Sequence, residues 1–241
     1  MVLGKNKGHR YEDMIFDILE KNKLIFEDSP HKGMAGKEDA MICHRGKPYK
    51  LEIKDGLEAD YGQKKFNWSK KGGWTWSEDD EVTRLYTDIG ALSYINHKKI
   101  TPKRYSKPKD ELTYEDAQTD ADMFEDRTYK VKPEVLWRYY AIKDVHYIQV
   151  GSGYGFYHLD KDVANFGTEP FVANLILRFR RKYHDRKERL RNAKRKIIKE
   201  IETPWNYSFM AVLKVVGKKK PKRSKYNIEE SEDQEPPQIR P

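Results

Sequence analysis

The sequence predicts an α/β protein, a central mixed β-sheet flanked by helices, from three patterns. Apolar residues at helical spacing occupy the start of the chain, where Tyr11, Met14, Ile15, Ile18 and Leu19 fall at i, i+3, i+4, i+7 and i+8 between Gly8 and Lys21. Strand-like alternation follows in Tyr49–Lys54, with Tyr49, Leu51 and Ile53 on one face and Lys50, Glu52 and Lys54 on the other. Helical spacing then returns at Glu78–Asn96, where Val82, Leu85, Tyr86, Ile89 and Leu92 turn inward.

The remaining elements are placed between these. Leu24–Phe26 is a short apolar strand. Asp39–Cys43 is a second strand, turned at His44-Arg45-Gly46 into Tyr49–Lys54 so that the two form a hairpin. The aromatic segment Phe66–Trp76 carries Trp68, Trp74 and Trp76, which fit a core better than a base-stacking platform. Residues 97–130 show no sustained periodicity and read as a long loop or insertion. Tyr139–Ile142 and Val145–Val150 read as strands, and Gly151–Gly155 as a hairpin turn into Phe156–Leu159. Gly151–Gly155 lacks the Walker pattern that would make it a phosphate-binding loop. Residues 176–199 read as a basic C-terminal helix packed by Leu175, Phe179, Tyr183, Leu190 and Ile197, and Trp205–Val216 as a last strand. One domain over 1–216 is expected, with a core at about 8–96, elaborations at about 97–216 and a disordered basic-then-acidic tail at 217–241.

Composition narrows the function. No stretch approaches the roughly 18 apolar residues of a membrane span, and the N-terminus lacks the apolar run of a signal peptide, so a soluble cytoplasmic protein is expected. The one cysteine, Cys43, excludes an intramolecular disulfide and any thiolate-rich metal site. His9, His31 and His44 show no paired spacing that suits zinc. The 48 Lys and Arg outnumber the 39 Asp and Glu, giving a net charge of +9. Five acids and one Arg lie beyond Tyr226, so residues 1–226 alone carry +13. Such a field attracts polyanions by counterion release, and nucleic acid is the commonest of these inside cells. Arg178, Arg180, Arg181, Lys182, Arg186 and Lys187, with Lys64 and Lys65, are the expected phosphate contacts.

The chemistry is concentrated in Asp39, Glu52 and Lys54. Asp39 opens one strand of the hairpin, while Glu52 and Lys54, two apart on the other, point to one face. Two carboxylates on adjacent strands form a hard oxygen site suited to Mg²⁺ or Mn²⁺. An ammonium beside them holds or helps deprotonate an attacking water, and steadies charge on a phosphate under attack.

Asp39, followed after thirteen residues by Glu52-Ile53-Lys54, resembles the PD-(D/E)xK nuclease signature, an acid at a strand start followed by (D/E)-x-K. Glu12 stands where members carry an acid on the first core helix. Gln63 resembles a glutamine found after the motif in several branches, and the order helix–strand–strand–strand–helix matches the family core. The resemblance spans about residues 8–70. Glu38 occupies the position of the family's proline, so Glu38 and Asp39 both compete for the role of first acid. Asp39 is favoured because Ala40, not Asp39, would share the buried strand face with Ile42.

The resemblance implies a Mg²⁺-dependent DNA endonuclease, with Mn²⁺ able to substitute, that leaves 5′-phosphate and 3′-hydroxyl ends. Asp39, Glu52 and the Ile53 carbonyl would hold the metal, and Lys54 would position or activate the attacking water. Glu12 would orient water or help hold a second metal, and Gln63 would support the site or touch substrate. A type II restriction enzyme acting on double-stranded DNA as a homodimer is the leading expectation. A phage-type or junction-resolving nuclease and a non-enzymatic nucleic-acid-binding protein are the alternatives.

Overall fold

A computed structural model describes residues 7–27, 29, 39–124, 127–183, 206–217 and 220–232. In chain order the elements are α1 (Lys7–Lys21), β1 (Ala40–His44), β2 (Lys47–Lys54), β3 (Gln63–Ser69), β4 (Gly73–Trp76), α2 (Glu81–Asp88), α3 (Ala91–His97), α4 (Tyr114–Asp122), β5 (Thr128–Val131), α5 (Glu134–Ile142), β6 (Val145–Val150), β7 (Gly155–His158), β8 (Leu175–Tyr183) and β9 (Tyr207–Val215). The class is α/β, with a mixed sheet and a second sheet, both accompanied by helices.

Where the sequence reads as one domain, the chain forms two compact units. Residues 1–59, 132–175 and 215–241 make the first, and residues 60–131 and 176–214 the second. Residues 60–96, expected in the core of a single domain, therefore belong with the second unit.

The first unit is built on a four-stranded sheet in the order β1-β2-β6-β7. β1 and β2 are an antiparallel hairpin with Ala40 opposite Leu51 and His44 opposite Lys47, closed by Arg45–Gly46. β6 runs parallel to β2, placing Gln149 beside Ile53, and β7 returns antiparallel to β6. Leu24–Phe26 contributes a bridge from Ile25 to Ile42. Ile15 and Leu19 of α1 close over Ala40, Ile42, Leu51 and Ile53, all essentially inaccessible to water. This is the amphipathic stripe visible in the sequence, buried where apolar area gains most.

The second unit carries a five-stranded sheet in the order β4-β3-β9-β8-β5. One face of it packs an aromatic core. Phe66 lies 4.6 Å from Trp74, 5.7 Å from Phe179 and 6.2 Å from Phe209 between ring centroids. Trp74 is buried in this cluster, the indole of Trp76 donates to Thr87 Oγ1 at 2.8 Å, and Trp68 lies 6.0 Å from Tyr105.

Several elements differ from expectation. Tyr139–Ile142 is the end of helix α5, not a strand. Val135, Leu136, Tyr139 and Tyr140 are its buried residues, a helical spacing that a four-residue apolar window cannot distinguish from a strand. Residues 176–183 belong to strand β8, not a helix: Leu175, Leu177 and Phe179 are buried while Arg178 is exposed. A four-residue spacing such as Leu175 to Phe179 is two strand repeats as well as about one helical turn, so both readings accommodate it. The rest of that segment, 184–199, lies outside the described residues.

Glu78–Asn96 forms two helices, because the chain turns at Gly90, whose φ of +87° a side-chain-bearing residue seldom adopts. The expected loop 97–130 contains α4, capped by reciprocal bonds between Thr113 and Asp116. Its buried residues are Asp116, Ala117 and Asp120, so no apolar stripe announced it. Residues 220–232, expected to be disordered, are placed against the first unit. Ile228 is 3% exposed within its core, and Tyr226 O accepts from Phe156 N at 2.7 Å.

Candidate active site

The β1–β2 hairpin brings Asp39 and Glu52 together. Ala40 faces Leu51 across the ladder, so the residue before Ala40 and the residue after Leu51 emerge side by side on the opposite face. Asp39 is fixed there, its Oδ2 accepting the Ile53 N–H at 2.7 Å. The burial of Ala40 and Ile42 agrees with Asp39 as the residue facing the site; Glu38 lies outside the described residues. Glu52 and Lys54 share that face and form an ion pair through Lys54 Nζ and Glu52 Oε1. Their side chains are only 9% and 16% exposed, so the charges sit at low dielectric and interact strongly.

The charges perturb one another accordingly. Asp39 is pushed up to about 7, first by burial and then by the neighbouring Glu52 carboxylate, against the opposing pull of Lys54 and the Ile53 N–H. For Lys54 burial acts to lower the pKa, but the carboxylates of Glu52 and Asp39 outweigh it and hold the ammonium well above its usual range. Glu12, half-buried on α1, contributes to the field at both groups. Asp39, Glu52, Lys54 and Glu12 are thus gathered into one electrostatic neighbourhood by the first unit alone. Gln63 opens β3 in the second unit, where its Oε1 accepts from Lys182 Nζ at 2.8 Å.

Among the described residues, no group of three or more His, Cys, Asp and Glu side chains is arranged to hold a metal ion. The donor chemistry nevertheless suits a hard divalent cation. Asp39, Glu52 and the Ile53 carbonyl are all oxygen donors, and the Glu52 repulsion that adds to burial in raising Asp39 is what a cation would relieve.

Sequence reasoning missed the residue that ties this region together. Gln149 is completely buried. Its Nε2 donates to Tyr11 Oη at 3.0 Å and Asn227 Oδ1 at 2.7 Å, and its Oε1 accepts from Ile228 N at 3.2 Å. Tyr11 directly precedes Glu12, and Gln149 pairs with Ile53 between Glu52 and Lys54. Gln149 therefore fixes the acid-bearing helix against the motif strand. The available signal was a single amide inside the apolar run Val145–Val150, since a polar group there must find buried partners.

The expected nucleic-acid contacts fall into distinct environments. Arg178 and Lys65 are exposed. Arg180 pairs with Asp60 at 2.6 Å. Lys64 is held by Asp80 and by Glu78. Arg181 donates to Ala117 O, with its guanidinium 5.5 Å from the Tyr207 ring. Arg186 and Lys187 lie outside the described residues. No helix among the described residues is long and apolar enough to cross a membrane. Comparison of the chain with family models, curated proteins and solved structures returns no match.

Proposed function

We propose that the chain is a Mg²⁺-dependent DNA endonuclease with a PD-(D/E)xK-type core. The observation that carries this reading is the side-by-side placement of Asp39 and Glu52 on neighbouring strands, with Lys54 paired to Glu52 on the same face. The surrounding order supports it: helix α1, the Ile25 bridge, β1, β2, helix α5 and the parallel strand β6.

Asp39, Glu52 and the Ile53 carbonyl would hold the metal, which supplies Lewis-acid stabilisation of charge on the phosphate and on the departing 3′-oxygen. Lys54 is held protonated by its carboxylate neighbours, so its role is that of a fixed cation. Its N–H groups orient the attacking water and stabilise the negative charge that builds on the phosphate. Glu52 locks that ammonium in place, and Ile53 N–H fixes Asp39, so neither group must reorganise during the reaction. Glu12 orients water from the helix side. Hydrolysis by this route leaves 5′-phosphate and 3′-hydroxyl ends.

A sequence-specific type II restriction enzyme, acting as a homodimer on duplex DNA, remains the leading assignment within this class. A branch- or junction-cutting nuclease is the nearest alternative. The test is incubation of supercoiled plasmid, linear DNA and branched DNA with the wild type and Lys54→Ala, in Mg²⁺ and in EDTA. Discrete linear fragments that vanish in EDTA and in the variant are expected. Cutting confined to branched DNA selects the alternative. Intact DNA in every lane, with binding retained, refutes the nuclease and leaves Glu52–Lys54 as a structural ion pair.

A further inference from the structure

The second unit keeps all but one of its described acids off one face of its sheet. Phe66, Phe179 and Phe209 point to the aromatic core, so alternation along β3, β8 and β9 sends Lys65, Arg178, Arg180, Lys182 and Lys214 to the other face. On β5, Tyr129 Oη reaches Ile89 O among the helices, which sends Lys130 to the same outer face. Lys65, Lys130 and Arg178 are exposed there. Asp60, which takes Arg180 at 2.6 Å and Lys214 at 3.0 Å, is the one acid accompanying these six cations among the described residues. Every other described acid of this unit lies on α2 or α4 or in the segments flanking them. Lys64, the β3 lysine on the core-facing side, is paired with two of those acids, Glu78 and Asp80.

Burying apolar area explains why the aromatic face takes the helices, but it does not require that the opposite face carry six cations and one acid among the described residues while the helical side mixes both signs. Mixed signs would hold the fold equally well and would repel less. Towards the edges of the face the side chains beside the cations are short and polar, Asn67 and Ser69 on β3, Thr75 on β4 and Thr128 on β5, whereas β9 in the middle brings Met210 and the fully buried Val212. Where Lys65, Lys130 and Arg178 are exposed, the surface offers ammonium and guanidinium groups with hydrogen-bonding neighbours, which complements a phosphodiester backbone.

We infer that the cationic face of the second unit's sheet is where duplex DNA is held, through its phosphates. The choice of DNA as the polyanion rests on the nuclease reading; the existence of the site rests on the near absence of acids from a face that carries six cations. Lys65, Lys130 and Arg178 make the exposed contacts. Arg180 and Lys214 are anchored by Asp60, so their cationic groups are already positioned when the backbone arrives. Arg181 and Lys64, expected from sequence to touch DNA, face the other side and are assigned no contact.

The test is fluorescence anisotropy with a short labelled DNA duplex, in EDTA so that binding is read apart from cleavage. Lys65→Glu combined with Arg178→Glu is expected to weaken binding about tenfold or more and to lower the salt-dependence slope by about 2. Lys130→Glu combined with Lys182→Glu, on β5 and β8 of the same face, supplies a second pair should the first fail to fold. Lys99→Glu combined with Lys109→Glu, on the helical side, changes the net charge by the same amount and is expected to stay within about twofold of wild type. Equal losses in the sheet-face and helical-side pairs, or no loss in either sheet-face pair, overturn the inference. So does a preference for RNA, or for anionic phospholipid vesicles, over duplex DNA. If the wild type shows no Mg²⁺-dependent cleavage while this binding pattern holds, the nuclease reading fails and the face remains assigned.

Discussion

Replacing Asp39 by asparagine removes a buried carboxylate that crowds Glu52, and the consequence for stability depends on pH in a defined direction. In the folded chain burial and Glu52 push Asp39 up to about 7; in the unfolded chain an aspartate titrates near 3.9. Between those values the folded state retains a proton that the unfolded state has lost, so folding stability falls as pH rises and levels off above about 7. The slope is about 1.4 kcal/mol per pH unit over about three pH units, which sets a ceiling of ~4 kcal/mol. The substituted amide carries no charge, and its side-chain oxygen still accepts the Ile53 N–H, so Asp39→Asn escapes this loss. Urea unfolding of both proteins in EDTA, from about pH 4 to about pH 8.5, reads the difference directly while other groups cancel. The asparagine variant is expected to gain on wild type steadily from about pH 4 to about pH 7, reaching between ~1 and ~4 kcal/mol, and then to hold that advantage. Added Mg²⁺ above pH 7 should narrow the gap by stabilising only the wild type. A difference that stays flat, or one that favours the wild type as pH rises, would refute the argument that Asp39 and Glu52 share a crowded, desolvated site.

Three further outcomes follow from the packing. A Cβ at Gly151 would lie 2.8 Å from both Asp55 O and Tyr11 Cζ, so Gly151→Ala should cost about 1–3 kcal/mol in urea unfolding and, by displacing the helix that carries Glu12, lower cleavage. Asp120 is fully buried and accepts from Lys103 N at 2.6 Å, Arg104 N at 3.0 Å and Tyr207 Oη at 2.6 Å. Asp120→Ala strands all three donors and should destabilise the chain by about 3 kcal/mol or more in the same assay. Ile228→Ala empties a core position and should cost about 2–4 kcal/mol; a loss under about 0.5 kcal/mol would show that residues 220–232 do not belong to the core.

The hairpin and first helix were legible because their information is local. Leu51 and Ile53 alternate with Glu52 and Lys54, and a period of two fixes which face each takes before any partner is known. Ile15, Ile18 and Leu19 declare the buried face of α1 in the same way, although Met14, at the same spacing, is exposed. The placement of Asp39, Glu52, Lys54 and Glu12 in one neighbourhood follows from those two patterns once the strands pair. Where local pattern was silent or double-valued, the reading failed. The buried face of α4 is polar, Tyr139–Ile142 fits helix or strand, and the four-residue spacing from Leu175 to Phe179 fits either period.

The sequence by itself determined the charge excess, the amphipathic helix, the hairpin and the face on which its carboxylates and lysine emerge. Only the tertiary structure decided that β6 runs parallel to β2 and delivers Gln149 to Tyr11, that Gln63 belongs to a different unit from Lys54, and that residues 220–232 complete the first core. Only there, too, do Lys65, Lys130, Arg178, Arg180, Lys182 and Lys214 come to share one face of a sheet. The first set depends on periodicity within a few residues. The second depends on which distant segments pay the loop-closure entropy of meeting, and that is settled by the apolar area they bury together.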